Sequence, residues 1–306
     1  MMKKTLLMIL VFVFVMPFCF SPVIFGASEL NHIIIYESIN FKGGHTHIFG
    51  SAATLPELNN EVSSFIVVSG RWTFYNGVNF TNEIVGDFPS FGPGQYTDVA
   101  NWGIPNDSIS SAASEDYYGN SMNKANLGDQ FGHIILYEDS DFGGAHSHIF
   151  GSASPLPELN NEVSSFIIES GCWVLYDIEG YNIPRGVILG PGKYSNVANY
   201  DIPNDCISAV SNRPDDADEN AALRSHIILF QHENFKGAHN HVFGDAATLP
   251  GMNDKATSFV ILKGGWYLYK DANYINLLGS FNGGKYSNVA NYNMPNDSIS
   301  SLRSPN

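Results

Sequence analysis

Six copies of one polar hexapeptide concentrate side-chain oxygen at regular places in this 306-residue chain. They run Asn59 to Ser64, Asn106 to Ser111, Asn160 to Ser165, Asn204 to Ala209, Asn253 to Ser258 and Asn296 to Ser301. Each opens on two amide or carboxylate side chains, passes two variable residues and closes on hydroxyls, with a backbone carbonyl between. An oxygen-only donor set without thiolate suits a hard cation, and mixed carbonyl, hydroxyl and carboxylate ligands in a loop suit calcium better than magnesium. The same residue types also build turns without metal, because their side chains hydrogen-bond the nearby backbone. Six copies at matching positions, with the fifth-position hydroxyl kept in all, favour the ion reading.

A second set of donors is nitrogen. All ten histidines fall in the first halves of the repeats described below, and six of them form His-x-His pairs: His45 with His47, His146 with His148, and His239 with His241. On a strand, residues two apart share a face, so each pair can grip zinc or copper if further ligands come from elsewhere; strand-face histidines without metal are the alternative. Cys19 lies near the N-terminus, while Cys172 and Cys206 have no equivalents in the other repeats. They are expected as reduced thiols, although an oxidising compartment would permit a bond. No Gly-x-Ser-x-Gly elbow, phosphate loop or His-Glu-x-x-His helix is present, and the serines lack a recurring histidine partner, so no enzyme is expected.

The hexapeptides come in pairs inside a larger repeat. His32 to Glu37, His133 to Glu138 and His226 to Gln231 open three equivalent units, and each unit closes with Val-Ala-Asn, an aromatic residue and Pro-Asn-Asp. The boundaries are set at 31–112, 132–211 and 225–304, separated by polar linkers at 113–131 and 212–224. Neither linker has an apolar period, so the units are expected to fold alone with little fixed geometry between them. Within a unit the apolar stretches are short, as at Ile33 to Tyr36, Phe65 to Val68 and Trp72 to Tyr75, and Gly, Pro, Asn and Asp separate them. That spacing predicts an all-β sandwich with the hexapeptides in connecting loops.

Tyr36, Phe41 and Gly43 carry a more specific signal, repeated at Tyr137, Phe142 and Gly144 and at Phe230, Phe235 and Gly237. An aromatic pair packs over a folded hairpin there, and glycine permits a positive backbone angle. With the hexapeptides, this resembles the Greek-key signature and calcium motif of the βγ-crystallin superfamily, microbial calcium-binding type. The resemblance implies three tandem domains, each with two Greek-key motifs, eight strands in two sheets and up to two calcium ions. It further implies that each ion takes a carbonyl from the third residue and a hydroxyl from the fifth residue of one hexapeptide, and a front side chain from the other. The side-chain ligands would be Asn60, Asp107, Asn161, Asp205, Asp254 and Asp297. The carbonyls would be those of Glu61, Ser108, Glu162, Cys206, Lys255 and Ser298, and the hydroxyls Ser63, Ser110, Ser164, Ser208, Thr257 and Ser300.

The second motif of each unit lacks the signature glycine and has Asn82, Ile183 or Asn276 there. Asn tolerates a left-handed backbone and Ile does not, so the second hairpin of the middle unit is expected to be remodelled. The fourth hexapeptide ends in Ala209, which marks the Ser208 site as the weakest. With so few carboxylates per ion, affinities are expected in the range of about 10⁻⁵ to 10⁻³ M.

Met1 to Lys4 is basic, Leu6 to Met16 is continuously apolar, and Pro17 to Ala27 leads into polar sequence. Residues 1–27 read as a secretory signal, with an uncleaved anchor as the alternative. Thirty acidic against fifteen basic residues give a net charge of −15, which disfavours nucleic acid and anionic membranes and attracts divalent cations. The expected function is that of a secreted calcium-binding structural protein of a cell coat, spore coat or extracellular matrix. The alternative is a carbohydrate- or protein-binding module, including an inhibitor or toxin, using aromatics such as Trp102, Tyr117 and Tyr118.

Overall fold

The computed structural model describes residues 31–116, 127, 131–182, 184–212 and 225–305; residues 1–27, expected as a secretory signal, and Tyr117, Tyr118 and Ile183 lie outside them. The first unit contains β1 (His32–Ser38), β2 (Lys42–Phe49), β3 (Ser64–Ser69), β4 (Arg71–Gly77), β5 (Thr81–Glu83), β6 (Gly94–Tyr96) and β7 (Ser111–Glu115). The second contains β8 (His133–Tyr137), β9 (His146–Phe150), β10 (Ser165–Ser170), β11 (Trp173–Tyr176), β12 (Pro184–Leu189), β13 (Gly192–Tyr194) and β14 (Ala209–Asn212). The third contains β15 (His226–His232), β16 (Lys236–Phe243), β17 (Ser258–Lys263), β18 (Trp266–Asp271), β19 (Ile275–Phe281), β20 (Gly284–Tyr286) and β21 (Ser301–Arg303).

Each unit is a sandwich of two antiparallel sheets, with orders β2-β1-β3-β6 and β5-β4-β7 in the first and the equivalent orders in the other two. The short strand β6 leaves the half that made it and completes the sheet of the other half, which is the Greek-key exchange. The reciprocal strand is only a bridge in each unit: Ala52 to Ala112, Ala153 to Val210 and Ala246 to Leu302. Seven strands therefore form where the resemblance implied eight. The segment that would be the eighth passes into Leu55-Pro56, Pro155-Leu156-Pro157 or Leu249-Pro250, and proline cannot donate to a ladder.

Between the sheets lies one apolar core per unit, centred on Trp72, Trp173 and Trp266. Their indole N–H groups donate to the carbonyls of Ser69, Ser170 and Lys263 at 3.0, 3.0 and 3.1 Å. The aromatic corners form as their spacing predicts, with ring centroids 5.6 Å apart for Tyr36 and Phe41 and 5.2 Å for Tyr176 and Tyr181. Asn82 and Asn276 take the left-handed angles (φ 56° and 57°) that the missing glycines would have supplied.

The linker composition suggested loosely tethered units, but the structure closes them into a ring. Strand β1 reads Ile33-Ile34-Ile35-Tyr36 without alternation because both its faces are covered. Ile33 and Ile35 face the core of their own unit, whereas Ile34 and Tyr36 pack with Phe150 of the second unit and with Leu127. Phe243 of the third unit packs in the same way on Ile135 and Tyr137, and Phe49 of the first packs on Ile228 and Phe230. Each unit thus lends one phenylalanine to the next around a closed circuit. Polar contacts follow the circuit: the Gly43 amide donates to Glu158 Oε1 at 2.7 Å, the Gly237 amide to Glu57 Oε1 at 2.9 Å, and Lys285 Nζ to the Phe49 carbonyl at 2.6 Å.

Candidate metal sites

The fourth residue of each hexapeptide explains how the loops are held. Val62, Ile109, Val163, Ile207, Ala256 and Ile299 are all fully buried in the unit cores. That plug fixes the third-position carbonyl and the fifth-position hydroxyl on either side of it. The second residue takes a left-handed angle in every copy (Asn60 58°, Asp107 53°, Asn161 61°, Asp205 53°, Asp254 51°, Asp297 51°), a conformation that Asn and Asp tolerate better than other side-chain-bearing residues.

The two hexapeptides of a unit are crossed. The Asn60 amide donates to the Ile109 carbonyl at 2.9 Å, and the Asn161 and Asp254 amides do the same to Ile207 and Ile299 at 2.9 and 3.1 Å. The front side chain of one copy consequently meets the fifth-position hydroxyl of the other. Ser110 Oγ donates to Asn60 Oδ1 at 2.8 Å, Ser208 to Asn161 at 2.7 Å, and Ser300 to Asp254 at 2.6 Å. On the reciprocal side, Ser164 reaches Asp205 and Thr257 reaches Asp297, both at 3.3 Å. Ser300 Oγ also lies 2.6 Å from the Lys270 carbonyl. One hydroxyl proton cannot serve two acceptors, so three oxygens converge there with a single hydrogen between them. The front side chains are exposed, while the hydroxyls of Ser63, Ser110, Ser164, Ser208 and Ser300 are buried behind them. Glu61, Ser108, Glu162, Cys206, Lys255 and Ser298 stand at the third positions, where the ligand expected from the resemblance is the main-chain carbonyl and not the side chain.

The sixth-position serines do something else. Ser64 Oγ accepts from the Phe41 amide at 3.0 Å and donates to the Ser38 carbonyl at 2.6 Å, clamping the aromatic corner. Ser165, Ser258 and Ser301 hold the corners at Phe142, Phe235 and Tyr274 in the same way. Ala209 cannot, and in that motif the hairpin partner strand begins only at Pro184, with a register shift between Trp173 and Leu175. No disulfide joins Cys172, which is buried, to Cys206. Trp102, read as an exposed platform, is half-buried against Phe88 and Tyr96 and packs on the first core.

The histidine pairs of the three units meet. In β2, β9 and β16 the side chains on the outer face alternate His-x-His-x-Phe, and the phenylalanines are those of the ring closure. His47, His148 and His241 form a triangle with centroid separations of 5.0, 4.9 and 5.1 Å. His45, His146 and His239 form a second triangle with separations of 4.9, 4.7 and 5.2 Å. A third layer lies behind: His32, His133 and His226 bring Nε2 to Nδ1 of His47, His148 and His241 at 2.8, 2.9 and 2.9 Å. Glu169 closes the column, 2.7 Å from His133 Nδ1, 3.5 Å from His226 Nδ1 and 2.8 Å from Lys263 Nζ.

Burial holds the six His-x-His imidazoles, His32 and His226 neutral. It pushes His45 down to about 4; it pushes His32 down to about 3, with His226 and His133 adding to the effect and Glu169 opposing it. Burial likewise takes His47, His146, His148, His239 and His241 well below the usual imidazole range, helped by neighbouring histidines. Burial works against ionisation of Glu169, but Lys263, His226 and His133 outweigh it and hold the carboxyl well below its usual range. Sequence reading found the pairs but not their convergence. The recurring phenylalanine after each His-x-His was the available signal.

The chain is similar to several known proteins. A beta/gamma-crystallin of Ciona intestinalis is 42% identical over 81 residues, covering 26% of this chain and 95% of its own length. A transition-metal-ion-binding betagamma-crystallin from Methanosaeta thermophila is 30% identical, with a TM-score of 0.24, and the match covers 26% of this chain and 96% of that one. Protein S complexed with calcium is 18% identical, with a TM-score of 0.31, over 57% of this chain and 99% of that one. The family profile of Beta/Gamma crystallin matches residues 32–113, 133–212 and 226–304. Three profile matches over three Greek-key sandwiches make this chain a member of the Beta/Gamma crystallin family.

Proposed function

We propose that this is a secreted, non-catalytic calcium-binding structural protein, whose crossed hexapeptides take up to two Ca²⁺ per domain and stiffen a cell coat, spore coat or extracellular matrix. The observation that carries the reading is the pairing of a front side-chain oxygen of one hexapeptide with a fifth-position hydroxyl of the other, seen in five of the six combinations. Calcium would be held by lone pairs of these oxygens, with each hydroxyl keeping its proton and turning it away from the ion, and the third-position carbonyls would complete its shell. A net charge of −15 favours cation uptake as well.

Calorimetric titration of calcium into the chain lacking residues 1–27, with melts in chelator and in excess calcium, tests this. Uptake of five or six ions with a marked rise in melting temperature is the expected outcome. At 100 times the dissociation constant each independent site adds about 2.7 kcal/mol. Absence of heat together with an unshifted melt would reduce the hexapeptides to turns.

A further inference from the structure

We propose that His45, His47, His146, His148, His239 and His241 together bind one divalent first-row transition-metal ion at the junction of the three domains, separate from the calcium loops. Two overlapping groups of four, His45 with His47, His146 and His148, and His47 with His146, His239 and His241, each place their ligand atoms within 4.8 Å of one another. Both groups draw on more than one domain, so the site exists only when the ring is closed.

The orphaned nitrogens point to a ligand. Nε2 of His47, His148 and His241 is buried without a hydrogen-bond partner among the described residues. A buried polar atom left unpaired is costly, and the three rings that carry these nitrogens lie 4.9 to 5.1 Å apart. In the other triangle, His146 Nε2 lies 3.3 Å from His45 Nε2 and 3.1 Å from His239 Nε2. One N–H cannot satisfy both contacts. Neighbouring ligands around a single ion with metal–nitrogen bonds of about 2.0–2.1 Å would be spaced at about this distance.

The third layer fixes which nitrogen carries the lone pair. Ionised Glu169 only accepts, so His133 donates through Nδ1–H and its Nε2 is left as an acceptor. His148 must then donate through Nδ1–H, which leaves its buried Nε2 with a bare lone pair. Metal sites commonly set the tautomer of a ligand histidine through a hydrogen bond to its other ring nitrogen, and here His133, itself held by Glu169, makes that bond to His148. Neutral imidazole selects zinc, copper, nickel or iron over calcium, which takes oxygen donors.

The test is Co²⁺ titration of the full three-domain chain with calcium at saturation, followed by visible absorption and metal analysis. One Co²⁺ per chain with ligand-field bands is expected, and His148→Gln should weaken uptake about tenfold or more. The calcium-dependent rise in melting temperature reports whether that variant is folded. Independently of any substitution, Zn²⁺ added to the natural sequence should move the histidine Nε2 nitrogen resonances with one-to-one stoichiometry. Absence of stoichiometric uptake by the natural chain would overturn the site, as would uptake that His148→Gln leaves unchanged.

Discussion

Ser63 and Ser64 sit side by side yet have different work, because successive side chains at the head of β3 point opposite ways. Ser64 is fully buried and clamps the Phe41 corner. Ser64→Ala should therefore lower chelator-state stability in urea melts by about 1–3 kcal/mol, with the number of bound calcium ions unchanged in calorimetry. Ser300→Ala should do the reverse, removing one binding heat while shifting the chelator melt little, since its hydroxyl has more acceptors than protons. The hexapeptide's oxygen content and its place in connecting loops were legible in the sequence. The division between its two hydroxyls was not, because it depends on which face of the strand each occupies.

Strands explain the rest of what sequence did and did not reveal. Short apolar runs separated by turn residues announced the sandwich, and the aromatic corners fell where spacing placed them. The unbroken runs at Ile33 to Tyr36, Ile134 to Tyr137 and Ile227 to Phe230 were the overlooked sign of strands covered on both faces. Phe150, Phe243 and Phe49 supply that second cover. Phe150→Ala should leave its own core intact but cost about 3 kcal/mol at the junction; small-angle scattering should show a larger radius of gyration for the variant. Composition alone could not expose this contact, since a phenylalanine that packs on a neighbouring domain looks like one that packs at home.

At the scale of the whole molecule, the histidine column makes stability depend on acidity. His32 and His45 have folded values of about 3 and 4 against an unfolded value of 6.5, and six further histidines are lowered in the same direction. Between those values the unfolded chain binds more protons than the folded one, so the ring loses stability as pH falls below 6.5. Urea melts of metal-free protein at pH 7 and pH 5 should show a lower midpoint at pH 5, and the separation should shrink when His45 and His239 are both replaced by Gln.

Glu169 gives the ring a history. From the second domain it reaches His133 of its own domain and His226 and Lys263 of the third, and its charge bears on His32 of the first. Its counterparts in the first and third domains are Val68 and Leu262, and those of Lys263 are Ser69 and Ser170. Three separate copies of one domain could not carry this pair: every substitution would appear three times, and three buried carboxylates would repel each other at the junction. Joining the units in one chain lifts that symmetry constraint. It lets one position hold an acid, another a base and the others apolar or hydroxyl side chains, an asymmetry closed to a trimer of identical chains.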